Sequence, residues 1–132
     1  MPEAEILARY CSVAIVGASP DPERPSYQVA QYLMEHGYRV FFVNPRVREI
    51  MGQPSYPSLA AVPERVEVVD IFRRPSEVMP LVLEAIEIGA RAIWMQVGVV
   101  NEAAAAKARG AGLDVVMDRC MAVEHEKLIG GS

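Results

Sequence analysis

Short stretches of unbroken apolar sequence, each too brief for a core helix, limit most strongly what this chain can fold into. Residues 12–16, 38–43, 66–72 and 92–97 form four such runs rich in Val and Ile, and residues 113–117 form a fifth. A strand with one wet face alternates apolar and polar residues, whereas a strand covered on both faces stays apolar throughout. These runs therefore predict the strands of a parallel sheet buried between helices. With 132 residues and 52% apolar content, the chain can bury such a core and is expected to form one domain spanning residues 1–132.

Helical patterns lie between the runs. Over residues 27–35, Val29, Ala30, Leu33 and Met34 make an apolar stripe, and His36 with Gly37 ends it, Gly37 suiting the left-handed position past a helix end. A second helix is predicted over 80–88, because Pro80 is tolerated only in a first turn, and Gly89 closes it. A third covers 102–109, with Asn101 as its N-cap. Pro45, Pro54, Pro57 and Pro63 break residues 44–65 into turns, leaving room for a short helix near 58–62. Strand and helix in alternation predict an α/β fold, a doubly wound parallel sheet of five strands in the order 3-2-1-4-5 within three αβα layers.

No apolar run approaches the roughly 20 residues that cross a bilayer, so the expectation is a soluble protein with neither a membrane segment nor a signal peptide. Cys11 and Cys120 are far apart and form no CxxC pair, which suits a reducing cytoplasm better than a zinc site or a disulfide framework. The net charge of −4 argues against a general nucleic-acid binder. An anionic ligand would have to be met by local charge.

Local charge is available. In doubly wound sheets ligands bind outside the carboxyl ends of the strands, where the strand order reverses. That point is expected between the first and fourth runs, flanked by the loops after Gly17 and Val97. Arg24 follows the first run, Arg46 and Arg48 the second, Arg73 and Arg74 the third, and Arg119 the fifth, so six of eleven arginines fall at one edge. Guanidinium groups grip phosphate through paired hydrogen bonds and stack on adenine. The turn Gly17-Ala18-Ser19-Pro20 leads to a helix opening at Pro25-Ser26, whose amides and dipole favour an anion, with Ser19 and Ser26 as hydroxyl donors.

A nicotinamide or flavin dinucleotide is the competing ligand, since this fold binds both. The G-x-G-x-x-G fingerprint is missing after Gly17, and the second run ends Val43-Asn44-Pro45 with no carboxylate for a ribose. A P-loop is absent, because no G-K-[ST] occurs.

Several segments together carry a family resemblance: Val16-Gly17-Ala18-Ser19, Arg24-Pro25-Ser26-Tyr27, Val43-Asn44-Pro45, Gly52-Gln53-Pro54, Phe72-Arg73-Arg74, Trp94-Met95-Gln96 with Gly98, and Met117-Asp118-Arg119-Cys120. Across residues 13–123 the chain resembles the CoA-binding domain proteins, and more distantly the amino-terminal CoA-binding domain of the succinyl-CoA synthetase α subunit. The resemblance implies a Rossmann-like fold and a coenzyme A cleft built from the first-strand turn, the Asn44-Pro45 turn and the loop of Phe72, Arg73 and Arg74. On that reading the phosphates sit against Ser19 and Ser26 with Arg24, Arg73 and Arg74, while Phe72 or Pro45 forms an apolar wall and Gln96 and Gly98 shape the opposite turn. Gly98 is expected to permit a close backbone approach. The synthetase's partner domain, which holds its phosphorylated histidine, is not in this sequence, so a stand-alone binding or regulatory role is expected rather than ligase activity.

Catalytic groups are scarce. His36 is placed at a helix end and His125 in the charged tail 124–127, neither beside a nucleophile. Cys120, after the last run, keeps open an acyl-CoA-using or thiol-redox enzyme, although free Cys is usually a small buried hydrophobe. Cys11, at the opposite edge, and Trp94 are expected in the core. Other readings left open are an interaction subunit of a CoA ligase-like complex, a homodimer and an NAD(P)-binding protein.

Overall fold

The computed structural model describes residues 2–130. In chain order the elements begin with α1 (Pro2–Arg9), β1 (Ser12–Val16), α2 (Pro25–Glu35) and β2 (Arg39–Val43). There follow β3 (Glu49–Ile50), β4 (Gln53–Tyr56), a 3₁₀ turn (Leu59–Ala61) and β5 (Val68–Ile71). A second 3₁₀ turn (Pro75–Glu77) runs into α3 (Val78–Glu87), then β6 (Ala92–Met95), α4 (Glu102–Gly110), β7 (Asp114–Val116) and α5 (Met121–His125), which a π-helical turn (Glu126–Gly130) extends. No helix among the described residues is long and apolar enough to cross a membrane.

The strands form one sheet in the order β3-β4-β2-β1-β5-β6-β7, all parallel except β3, which runs antiparallel to β4. The doubly wound α/β class is as expected, with two corrections. There are seven strands rather than five, and the strand that flanks β2 away from β1 is Gln53–Tyr56, not the apolar run at 66–72, which instead lies on the other side of β1. Four residues with a proline and two polar side chains carry no strand pattern. Their place in the sheet depends on Ser55 and Tyr56, whose backbone groups bond Arg48 and Asn44 at 2.9 Å and which pair in register with Phe42 and Val43. The order therefore reverses between β1 and β5, and the loops after Gly17 and Phe72 flank that point rather than those after Gly17 and Val97.

Alternation within each strand divides its side chains between two apolar layers. Ala14, Val16, Val69, Ile71, Ile93 and Met95 face α3 and α4, where Val82, Ala85, Ala104 and Ala108 are buried. Small alanines let α4 lie close to the sheet, and Asn101 caps it by accepting the Ala104 N–H at 2.9 Å. On the other face Val13, Ile15, Phe42, Val68 and Trp94 meet Ile6 and Leu7 of α1, Val29, Ala30 and Leu33 of α2, and Met121 of α5. Trp94 is fully buried and donates its indole N–H to the Arg119 carbonyl at 2.9 Å. Asp70 stands in this face between Ile15 and Trp94, fully buried.

Both ends of the chain depart from their sequence reading. Helix α1 has no counterpart among the predicted helices: eight residues form no stable helix alone, and burial of Ile6 and Leu7 holds it. His125 is buried instead of lying in a solvated tail: its Nδ1 and the Tyr32 hydroxyl are 2.9 Å apart, and the rings of His36 and Tyr38 pack edge-on against it. Burial, with His36 nearby, keeps the His125 imidazole below its usual pKa. Cys11 is exposed, not core, because its amide lies at the strand's entry, where it donates to Glu67 Oε1 at 3.0 Å.

Candidate functional site

Gly17 fixes the geometry where the sheet order reverses. Its φ is +85°, its N–H donates to the Val43 carbonyl at 3.0 Å, and a Cβ there would stand 2.5 Å from the Phe72 carbonyl oxygen and 2.9 Å from Arg73 Cδ. The turns after β1 and β5 thus touch through backbone, which only a residue without a side chain allows. Beyond it, Ala18 is buried and its carbonyl accepts from Asn44 Nδ2 at 2.7 Å.

From Ser19 the chain runs to α2 through a series of local bonds. Ser19 Oγ accepts the Asp21 N–H at 3.1 Å, Asp21 Oδ1 accepts the Glu23 N–H at 3.0 Å, and the Asp21 carbonyl accepts the Arg24 N–H at 3.0 Å. Helix α2 begins with Pro25, and Arg24 at its N-cap is extended with no side-chain cap. Pro25 has no N–H and those of Tyr27 and Gln28 donate to the Arg24 carbonyl at 3.1 and 3.2 Å, so the Ser26 N–H and the positive end of the dipole are what the first turn offers a ligand. Ser26 is the second residue of the helix rather than its cap, and only 4% exposed.

Across the carboxyl edges lies one cleft of about 910 Å³, lined by residues from the ends of β1, β2, β5 and β6 and by Cys120 after β7. Of the residues singled out in the sequence, it brings together Gly17, Ala18, Ser19, Arg24, Pro25, Ser26, Asn44, Phe72, Arg73, Arg74, Gln96, Gly98 and Cys120. Tyr27 and Pro45 are not among its walls. Tyr27 is half-buried against the α1–α2 layer, and Pro45 faces a smaller cavity beside Pro57 and Pro80. Phe72 serves in both capacities, packing against the α1–α2 core while bordering the cleft.

Four of the six arginines at this edge line the cleft: Arg24, Arg46, Arg73 and Arg74. Arg48 and Arg119 are exposed and lie outside its lining, Arg119 donating to its neighbour's carbonyl at 2.9 Å. Arg73 also pairs with Glu77 one helical turn on, its Nε donating to Oε2 at 2.6 Å. Among the described residues lining the cleft there is no Asp, Glu, His, Lys or Tyr. The wall is cationic, and it offers no general base.

The far side differs from its sequence reading in one respect. Gly98 has φ +83°, yet a Cβ there would meet nothing within 4 Å. The turn demands the left-handed backbone, not a close approach; the Gly98 N–H donates to Asp118 Oδ1 at 2.7 Å. The walls also include Pro20 and Val97, named above only as parts of flanking turns, and Val47, Pro75 and Val99, which the sequence reading does not single out. The readable signal was the valine pair flanking Gly98 in a loop, one of which, Val97, is 67% exposed.

Asn44 stands where dinucleotide sites carry an acid, and both ends of its amide are committed to backbone: Nδ2 to Ala18, and Oδ1 to the Arg46 N–H at 2.9 Å. Fold and cleft together define a Rossmann-like domain with a cationic cleft at the switch point of its sheet. The chain belongs to the CoA binding domain family, whose profile matches residues 11–126. A Bacillus subtilis protein, YneT, is 35% identical over 121 residues, covering 92% of this chain and 90% of that protein. The structure of a hypothetical protein from Pyrococcus horikoshii OT3 superposes with a TM-score of 0.94 at 48% identity, covering 97% of this chain and 90% of that one. Acetate-CoA ligase (ADP-forming) I of Archaeoglobus fulgidus is 36% identical over 72 residues, which take in 54% of this chain but 10% of the ligase.

Proposed function

We propose that this chain binds coenzyme A or an acyl-CoA in the cleft, as a binding or regulatory domain. The observation that carries the reading is the cleft wall, which combines Arg24, Arg46, Arg73 and Arg74 with no carboxylate in a protein of net charge −4. Such a wall favours a ligand with several phosphates over a neutral metabolite. Arg73 and Arg74, which line the same cleft as Ser26 and Pro25 of α2, suit the pyrophosphate. The apolar residues Phe72, Val97 and Val99 suit the pantetheine arm.

Membership of the CoA binding domain family supports coenzyme A over NAD, as do the missing glycine fingerprint and the amide at Asn44. Calorimetry with coenzyme A, dephospho-CoA, NAD and ATP tests it. Coenzyme A is expected to bind tightest, with dephospho-CoA weaker because it lacks the 3′-phosphate. Equal or tighter binding of NAD would overturn the assignment.

A further inference from the structure

We propose that Cys120 captures the thiol end of the bound ligand as a mixed disulfide, so that occupancy of the cleft responds to the redox state of the coenzyme A pool. The inference rests on coenzyme A binding in this cleft and adds a covalent, reversible mode to it.

The layout of the sheet edge supplies the geometry. Arg46 follows β2, Gly17 follows β1, Phe72 and the two arginines follow β5, Gln96 follows β6, and Cys120 follows β7, all lining one cleft. From the end of β2 to that of β7 there are four inter-strand steps of about 4.8 Å, roughly 19 Å in all. The arginines occupy one end and the middle of that row, and Cys120 the other end. A nucleotide held by its phosphates with an extended thiol-bearing arm fits this polarity, its sulfur directed toward Cys120.

A second observation marks the Cys120 end as a ligand contact. Gln96 is 5% exposed and lines the cleft; its Oε1 accepts the Met121 N–H at 3.1 Å, which fixes the backbone next to Cys120. Its Nε2 has no partner among the described residues and is not one of the fully buried unpartnered atoms, which leaves it accessible as a donor for an amide carbonyl of the arm. Cys120 itself is a free, half-buried thiol. Cys11 precedes β1 at the opposite edge of the sheet, so the two cysteines cannot bridge each other without unfolding.

The step is thiol–disulfide exchange with coenzyme A disulfide. The Cys120 thiolate attacks one sulfur, a new S–S bond joins Cys120 to one coenzyme A, and the original S–S bond breaks. The electron pair leaves on the second coenzyme A, which takes a proton from water. A reducing thiol reverses it.

The test combines intact mass with calorimetry. Incubation with coenzyme A disulfide is expected to add one coenzyme A per chain, removed by dithiothreitol, absent in Cys120→Ser and Cys120→Ala, and retained in Cys11→Ser. Labelling is expected to be at least tenfold faster than with glutathione disulfide, and that preference to shrink in the Arg73→Ala, Arg74→Ala double variant. Reversible coenzyme A binding by wild type without an adduct, or equal rates with both disulfides, would overturn the capture and leave the binding assignment standing. No heat of binding and no adduct would remove both.

Discussion

Asn44 at the end of β2 donates its side-chain amide to the carbonyl of Ala18, 2.7 Å away in the turn after β1. That single bond ties together two loops that form one end of the cleft. Asn44→Ala is expected to cost about 1–3 kcal/mol, since it leaves a buried carbonyl without a partner. Asn44→Asp is expected to fare no better, because a carboxylate cannot donate to Ala18. Urea unfolding of the two variants checks this, and an Asn44→Asp protein as stable as wild type would show that the amide's donor is dispensable.

Gly17→Ala places a methyl group against the Phe72 carbonyl and Arg73 in a left-handed backbone. The expected loss of stability is about 1–3 kcal/mol from strain alone. The cleft suffers as well, because the turns after β1 and β5 must separate. Coenzyme A affinity is therefore expected to fall further than the loss of stability would suggest, as calorimetry on the folded variant would show.

The Arg73→Ala, Arg74→Ala double variant separates binding from folding. The pair between Arg73 and Glu77 is part-exposed, and such pairs contribute little to stability. Its unfolding midpoint is expected to match that of wild type, while coenzyme A affinity drops more than tenfold, about 1.4 kcal/mol. Unchanged affinity would move the ligand away from this loop.

Asp70 gives stability a pH dependence of unusual sign. Burial raises its carboxyl well above the ordinary 3.8, and neither oxygen has a hydrogen-bond partner among the described residues. The folded protein holds this proton more tightly than the unfolded chain, so the group favours folding most below the unfolded pKa. That advantage is lost as pH rises through the folded value. Urea midpoints measured upward from pH 4 are expected to carry a falling component in wild type that disappears in Asp70→Asn. An identical pH profile in the two proteins would contradict it.

The residues of the cleft were largely legible in the sequence because they sit at strand ends, where apolar runs stop and Gly, Ser, Asn and Arg begin. Arg24, Arg73 and Arg74 could be placed from the runs preceding them. Arg48 and Arg119 could not be told apart from them, since a loop residue's direction depends on turns that leave no periodic signal. Tyr27 and Pro45 lie outside the cleft lining for the same reason: adjacency to a wall residue is not membership of the wall.

By itself, the sequence determined the doubly wound class, the helices at α2, α3 and α4, and the edge of the sheet at which positive charge gathers. Burial on both faces demands continuous apolar strands, and that demand is written locally. Only the tertiary structure decided that Gln53–Tyr56 completes one side of the sheet, that β5 lies beside β1, that both terminal segments fold back as helices, and that His125 is buried. Those outcomes come from backbone pairing and packing between residues distant in the chain, and no local pattern encodes which distant surface a short segment will meet.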